Sequence, residues 1–400
     1  MNTQFRRVLT VSAAFAVVVA CVAFAHARAT DAGNANPSRR APTLQDAFDR
    51  AYRGYTPASV TTSRARAPRF AQRWRVALPV DVVGLPAADA RGVVVTAGEA
   101  EVVALSLGGD VQWTTPVSGA LVNAPRLEGD RVFVAAKRAI VALDRTTGAV
   151  VWTSPTAADG GADERANEPV VVGDTVVATS ESGRAYGIGR ADGALRWTVQ
   201  LATATTAEPA AGANVVVVVG VGQWWALNPQ TGDTVWSGDI GTYGTSSPVL
   251  YTDGNRAVAA LATDGEVVAV DAGTGEILWH RGAEQAEYFQ VPTVTADHQL
   301  LVPDHWGRLE AFNAHDGTPL WKVHGADAVA EFGEPAVLGP ELVAIALDDG
   351  GPRIGSPSGS RSLKIPAAGH GVAMAPGGLL VVTTWDAAMN YVVGYAVDAG

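Results

Sequence analysis

Glu168, Glu208 and Glu334 each stand immediately before a proline, and His370 stands before a glycine at a matching point of the chain. They belong to a longer series: Leu85-Pro86, Ala124-Pro125, Glu168-Pro169, Glu208-Pro209, Ser247-Pro248, Val291-Pro292, Glu334-Pro335 and His370-Gly371, spaced 36 to 44 residues apart. Residues repeated at a steady period in a chain that closes on itself meet around one axis. Three carboxylates and an imidazole gathered there would give oxygen ligands to a hard cation, or a field that attracts cations and repels anions. Asp304-His305-Trp306, Gly222-Gln223-Trp224 and Trp385-Asp386 fall at a second recurrent position and are expected on the same face. Their indoles would lie as flat apolar surfaces beside the carboxylates and bind a flat ligand. The alternative is a solvated acidic rim whose carboxylates cap nearby amides.

Other chemistries find little support. Six of the seven histidines lie between His280 and His370, but no two have the local spacing of a zinc site. No Gly-x-Ser-x-Gly, His-Glu-x-x-His or phosphate-binding loop occurs. The single cysteine, Cys21, lies in an N-terminal apolar run, so no intrachain disulfide and no thiol chemistry exist in the body of the chain. With 40 acidic and 29 basic residues, the net charge of -11 argues against nucleic-acid binding. A chain of 400 residues that is 48% hydrophobic and 17% charged buries a large core.

The elements that must hold these residues are read from a repeat. Trp74, Trp113, Trp152, Trp197, Trp236, Trp279 and Trp321 are 39 to 45 residues apart. Ala142-Leu143-Asp144 leads through Thr147-Gly148 to Trp152, and Ala226-Leu227-Asn228 leads through Thr231-Gly232 to Trp236. The same motif precedes Trp279 and Trp321, and worn copies precede Trp113 and Trp197. Asp or Asn bonds the backbone of its own turn, and Gly supplies a positive φ. The tryptophan opens the next strand and packs between neighbouring sheets. Two Val-rich runs precede each motif, so each unit of about 40 residues holds four short strands, as a β-propeller blade does.

From Trp74 to Gly400 there is room for eight such units of about 41 residues. The expected fold is all-β, an eight-bladed propeller over 72–400 with four-stranded antiparallel blades. Seven blades is the alternative, because the unit at 337–363 is degenerate and carries Leu363 where a tryptophan belongs. The sequence ends on Ala396-Val397-Asp398-Ala399-Gly400, inside a turn motif. Its missing strand is expected from Gln72-Arg73-Trp74-Arg75-Val76, which would close the ring and remove its open sheet edges.

Asp-x-x-Thr-Gly-x-x-x-Trp following Gly-x-Val-x-Ala-Leu resembles the repeat of the quinoprotein-type (PQQ-like) β-propeller family, over residues 74–400. One branch of that family is the quinoprotein alcohol and glucose dehydrogenases, which hold PQQ and calcium over the propeller axis. The other is non-catalytic and includes the lipoprotein of the outer-membrane β-barrel assembly machinery. The alcohol dehydrogenases typically carry an adjacent cysteine pair, which this sequence cannot form, and they are generally longer. The resemblance therefore implies the fold, and it points away from a cofactor. PQQ and calcium are expected only if the chain is a reduced dehydrogenase.

Residues 1–29 read as an export segment. Arg6 and Arg7 precede 18 uncharged residues, Val8 to Ala25. A cleaved signal peptide, an uncleaved membrane anchor and lipidation at Cys21 all fit, and each places the body outside the cytoplasm. Residues 30–71 read as a linker with a short amphipathic helix near 43–55. Three functions follow in order. The first is a non-catalytic binding or scaffold module of the cell envelope, monomeric, for a protein or a small ligand, with an envelope protein or a basic peptide as the expected partner. The second is a PQQ-dependent oxidoreductase, and the third a polymer-binding or lyase-type propeller.

Overall fold

The computed structural model describes residues 69–400, except 80, 83, 99, 120, 122, 157–164, 206, 213, 241–245, 264–265, 283–290, 296, 304–307, 325–335, 340–341, 346–352, 356–362, 365–370, 386–388 and 399–400. The export segment, the linker helix near 43–55 and Cys21 lie outside the described residues. The first strand is β1 (Arg69–Leu78). Blade 1 follows with β2 (Ala87–Asp89), β3 (Gly92–Ala97), β4 (Glu101–Leu105) and β5 (Val111–Pro116). Blade 2 holds β6 (Arg126–Glu128), β7 (Arg131–Ala136), β8 (Ala139–Asp144) and β9 (Val150–Pro155). Blade 3 holds β10 (Val170–Val172), β11 (Thr175–Thr179), β12 (Arg184–Gly189) and β13 (Leu195–Gln200). Blade 4 holds β14 (Ala210–Ala211), β15 (Val216–Gly220), β16 (Gln223–Leu227) and β17 (Thr234–Asp239). Blade 5 holds β18 (Val249–Asp253), β19 (Arg256–Ala262), β20 (Glu266–Asp271) and β21 (Ile277–Gly282). Blade 6 holds β22 (Thr293–Val294), β23 (Gln299–Pro303), β24 (Arg308–Asn313) and β25 (Pro319–His324). Blade 7 holds β26 (Ala336–Gly339), β27 (Leu342–Ile345), β28 (Arg353–Gly355) and β29 (Leu363–Lys364). The chain then enters β30 (Gly371–Ala375), β31 (Leu379–Trp385) and β32 (Asn390–Asp398).

Seven sheets use four consecutive strands, and the eighth has the order β1-β32-β31-β30. There are thus eight blades, not seven. The first strand closes the ring antiparallel to the last, with Phe70 opposite Val397 and Trp74 opposite Gly394. The burial pattern explains the composition. Inner strands such as β3, β11 and β15 are covered on both faces and read as Val-rich runs without polar–apolar alternation. Outermost strands such as β5 and β17 alternate, and their tryptophan is the buried member.

The tryptophans clasp one blade to the next. Trp74 donates its indole N–H to Leu107 O, Trp113 to Arg145 O and Trp152 to Arg190 O, at 2.8, 3.2 and 2.9 Å. Trp197 donates to Pro229 O, Trp236 to Ala272 O and Trp279 to Ala314 O, at 3.0, 2.9 and 3.1 Å. Each acceptor belongs to the turn before the next blade's outermost strand. The ring of the indole lies on that turn's glycine. A Cβ on Gly232, whose φ is +76°, would sit 2.6 Å from Trp197, and one on Gly275, φ +77°, 2.8 Å from Trp236. The small residue of the motif is explained too: Ala142, Ala226 and Ala269 pair directly with Trp152, Trp236 and Trp279. A bulge follows each pair and re-aims the indole toward the neighbouring blade.

Leu363, in place of a tryptophan, begins the outermost strand of blade 7.

Candidate functional site

The series of residue-before-proline positions lands where expected. Pro86, Pro125, Pro169, Pro209, Pro248 and Pro292 are buried and directly precede β2, β6, β10, β14, β18 and β22. Proline lacks an N–H and restricts the residue before it to extended backbone, so each strand begins just after it. The innermost strands of blades 1 to 6 are thus entered from one end of the ring. By antiparallel alternation, the turns between second and third strands emerge at that same end, which we call the entry face.

Glu168 and Glu208 occupy equivalent points on this face, in neighbouring blades 3 and 4. Their environments differ. Glu168 is 3% exposed, whereas Glu208 is half-buried. Beside Glu168, the Asn167 amide donates to Thr179 Oγ1 at 2.9 Å and reaches Thr205 Oγ1 of the next blade's entry loop at 3.4 Å. Thr205 Oγ1 in turn donates to Ser180 O. Ser247, the equivalent residue of blade 5, accepts from the Glu208 N–H at 3.1 Å and donates to Glu208 Oε2 at 3.2 Å. The entry points of blades 3, 4 and 5 are therefore bound together by polar side chains that the sequence already placed in register.

Glu334, His370, Asp304, His305 and Trp306 lie outside the described residues. Trp385 ends β31, but its side chain is outside them too. One expectation is overturned. Trp224, placed by sequence on the exposed face, is 4% exposed and packs edge-on to Trp236 with ring centroids 5.2 Å apart. It is the second residue of β16 rather than part of the turn, so its ring points between blades 4 and 5.

The opposite face shows residues that sequence reading missed. Arg145, 1% exposed, makes a two-pronged contact across blades 2 and 1, Nε to Asp89 Oδ2 at 3.2 Å and Nη2 to Asp89 Oδ1 at 2.8 Å. Tyr251 donates to Ala314 O at 2.6 Å, doubling the Trp279 clasp between blades 5 and 6. Burial, together with the Asp253 charge, pushes the Tyr251 phenol well above its usual range. The signal for Arg145 was present: it fills the second turn position, where the other well-preserved motifs carry Pro229, Ala272 and Ala314. In the turns themselves, Asp144 accepts from the N–H groups of Thr146 and Thr147 and from the Thr147 hydroxyl. These bonds, led by the Thr147 N–H, hold its carboxyl below the usual value.

With Cys21 as the single cysteine, no thiol pair can cover a quinone. Among the described residues, no three His, Cys, Asp or Glu side chains come together as metal ligands.

Fold and repeat define an eight-bladed β-propeller built from PQQ-like units. A family model described as outer membrane protein assembly factor BamB matches residues 69–223 and 222–351, and the chain belongs to that family. BamB of Yersinia pestis is 26% identical over 221 residues, 51% of this chain and 53% of that protein. BamB of Burkholderia pseudomallei is 27% identical over 211 residues, 49% of this chain and 54% of that one. The chain thus spans about half the length of these curated relatives. Among solved structures, BamB from Moraxella catarrhalis superposes with a TM-score of 0.65 at 20% identity, covering 82% of this chain and all of that one. The quinohemoprotein alcohol dehydrogenase ADHIIG of Pseudomonas putida HK5 gives 0.69 at 12% identity, covering 86% and 78%. At such identities the likenesses show the fold alone.

Proposed function

We propose that this chain is an exported, non-catalytic scaffold of the cell envelope that holds a protein partner on the entry face of its propeller. The observation that carries the reading is the family match, which runs from β1 into blade 7. The relatives are called outer membrane protein assembly factors, so the expected partner is another envelope protein and the expected location is extracytoplasmic. The N-terminal apolar run after Arg6-Arg7 supports export, as a signal, an anchor or a lipidated Cys21. The most regular features of the repeat, its turn carboxylates and six of its indoles, are engaged in holding blades together, which supports a binding ring over a catalytic one.

Glu208, with Glu334 and His370 at equivalent points, sets the chemistry of the partner. A carboxylate-rich mouth on a chain of net charge -11 favours an Arg- or Lys-bearing segment. Asp304, His305, Trp306 and Trp385 would supply its flanking contacts. The contact between exposed charges weakens with salt, because the Debye length is about 8 Å at physiological ionic strength. The test is binding of a basic peptide library at rising salt to the full chain and to a Glu208→Gln, Glu334→Gln variant. Glu168 is left intact because it is buried. Salt-sensitive binding that the variant loses is the expected result; equal binding by both chains would remove the site from this face.

A further inference from the structure

We propose that the outer edge of blade 4, strand β17, takes up an extended basic segment of a protein partner as an added strand. The basis is the direction in which the backbone of each outermost strand points. In blade 4 the Ile240 N–H reaches Gly222 O, and the register sets Gln223 opposite Asp239, Trp225 opposite Ser237 and Ala226 opposite Trp236. Antiparallel ladders alternate between bonded and non-bonded pairs. Trp236 and Gly238 therefore bond inward to β16, whereas Val235, Ser237 and Asp239 turn their N–H and C=O groups outward. β17 is the last strand of its sheet, so these groups form an open edge. The three side chains are exposed, Val235 by 41%.

Equivalent bonds, Val117 N–H to Ala100 O, Thr156 N–H to Arg138 O and Leu201 N–H to Gly183 O, set the same alternation in blades 1, 2 and 3. The side chains at the outward positions differ. β5 and β9 carry Pro116 and Pro155 in the place of Asp239, and proline has no N–H to offer a further strand. β1, β13, β21 and β25 carry a base there, Arg75, Arg196, His280 and Lys322. Among these strands β17 alone has neither a proline nor a base at an outward position. Its border is acidic instead. Asp233 precedes it and Asp239 ends it, both exposed, and Glu276 follows Gly275, the glycine on which the Trp236 ring lies. These carboxylates repel another acidic edge and complement Lys or Arg on an incoming strand. Main-chain bonds supply the affinity of such an addition, and side chains its selectivity. The basic character of the partner rests on the reading above. The contact itself is separate from the mouth at Glu208, because β17 lies at the opposite side of the sheet from β14.

The test uses the full chain and a synthetic peptide of alternating Lys, Thr and Val. A second form of the peptide is N-methylated at adjacent central residues, which blocks both of its edges. Calorimetry at low salt should show binding of the unmethylated form alone, and hydrogen–deuterium exchange should then slow in β17 but not in β5 or β9. Asp239→Asn should weaken binding about two- to fivefold by removing one exposed charge contact. Asp239→Pro, which gives this edge the proline of β5 and β9, should abolish binding. Equal binding of the methylated form, no binding of either form, or undiminished binding to Asp239→Pro would overturn strand addition. Salt-sensitive binding that leaves exchange in β17 unchanged would overturn it too, and would leave the entry-face reading standing. Self-association of the chain that Asp239→Pro abolishes would assign the edge to a second copy and equally contradict the proposal.

Discussion

Asp144, Asn228, Asp271 and Asn313 perform one task, accepting N–H groups of the turn that follows them. Charge is therefore optional for the geometry, but it changes the pH response. The folded carboxyl of Asp144 titrates below its usual value, chiefly because the Thr147 N–H donates to it. A depressed carboxylate adds stability that is present above its unfolded value and is lost as pH falls through the folded one. Asp144→Asn should keep the turn and melt slightly below the wild type at pH 7, with the gap closing below about pH 4. Asp144→Ala should cost about 1 kcal/mol at pH 7. Melting curves across pH check both, and an Asn variant whose deficit grows in acid would contradict the argument. This turn chemistry was legible from sequence, because Asp or Asn, Gly and Trp keep a fixed spacing. Arg145 was not read, because its partner Asp89 lies 56 residues away in another blade.

At the scale of the strand, closure rests on β1. Its Trp74 donates to Leu107 O and lies against Gly109, whose φ is +91°. Removing residues 70–78 would leave the edge of β32 unpaired and the blade 1 turn uncovered. The shortened chain should lose cooperativity and melt lower in calorimetry; a transition matching that of the full chain would refute closure by this strand. The closing pair was legible because the last repeat stops one strand short. The place of Trp224 was not, since hairpin length decides whether a residue sits in the turn or in the strand. Here the turn is two residues, Val221 and Gly222, which puts Trp224 in the buried ladder.

For the whole molecule, the period favoured eight blades over seven, as the structure has them, and the residue-before-proline series indicated which end of the ring carries Glu168 and Glu208. Chemistry at that end was less legible, because equivalent positions receive different neighbours: Glu168 is covered, while Glu208 is tied to Ser247 and reaches solvent. The same propeller serves a quinohemoprotein dehydrogenase and BamB, so the fold does not choose between catalysis and binding. The proposed reading of a binding ring draws its support from the family match and from indoles engaged in clasps between blades. The most direct test is turnover of the purified full chain, incubated with PQQ and calcium, on alcohol or sugar with an artificial electron acceptor. Turnover no higher than that of a denatured control is the predicted result; a rate well above it would show a quinone enzyme and contradict the account of a binding ring.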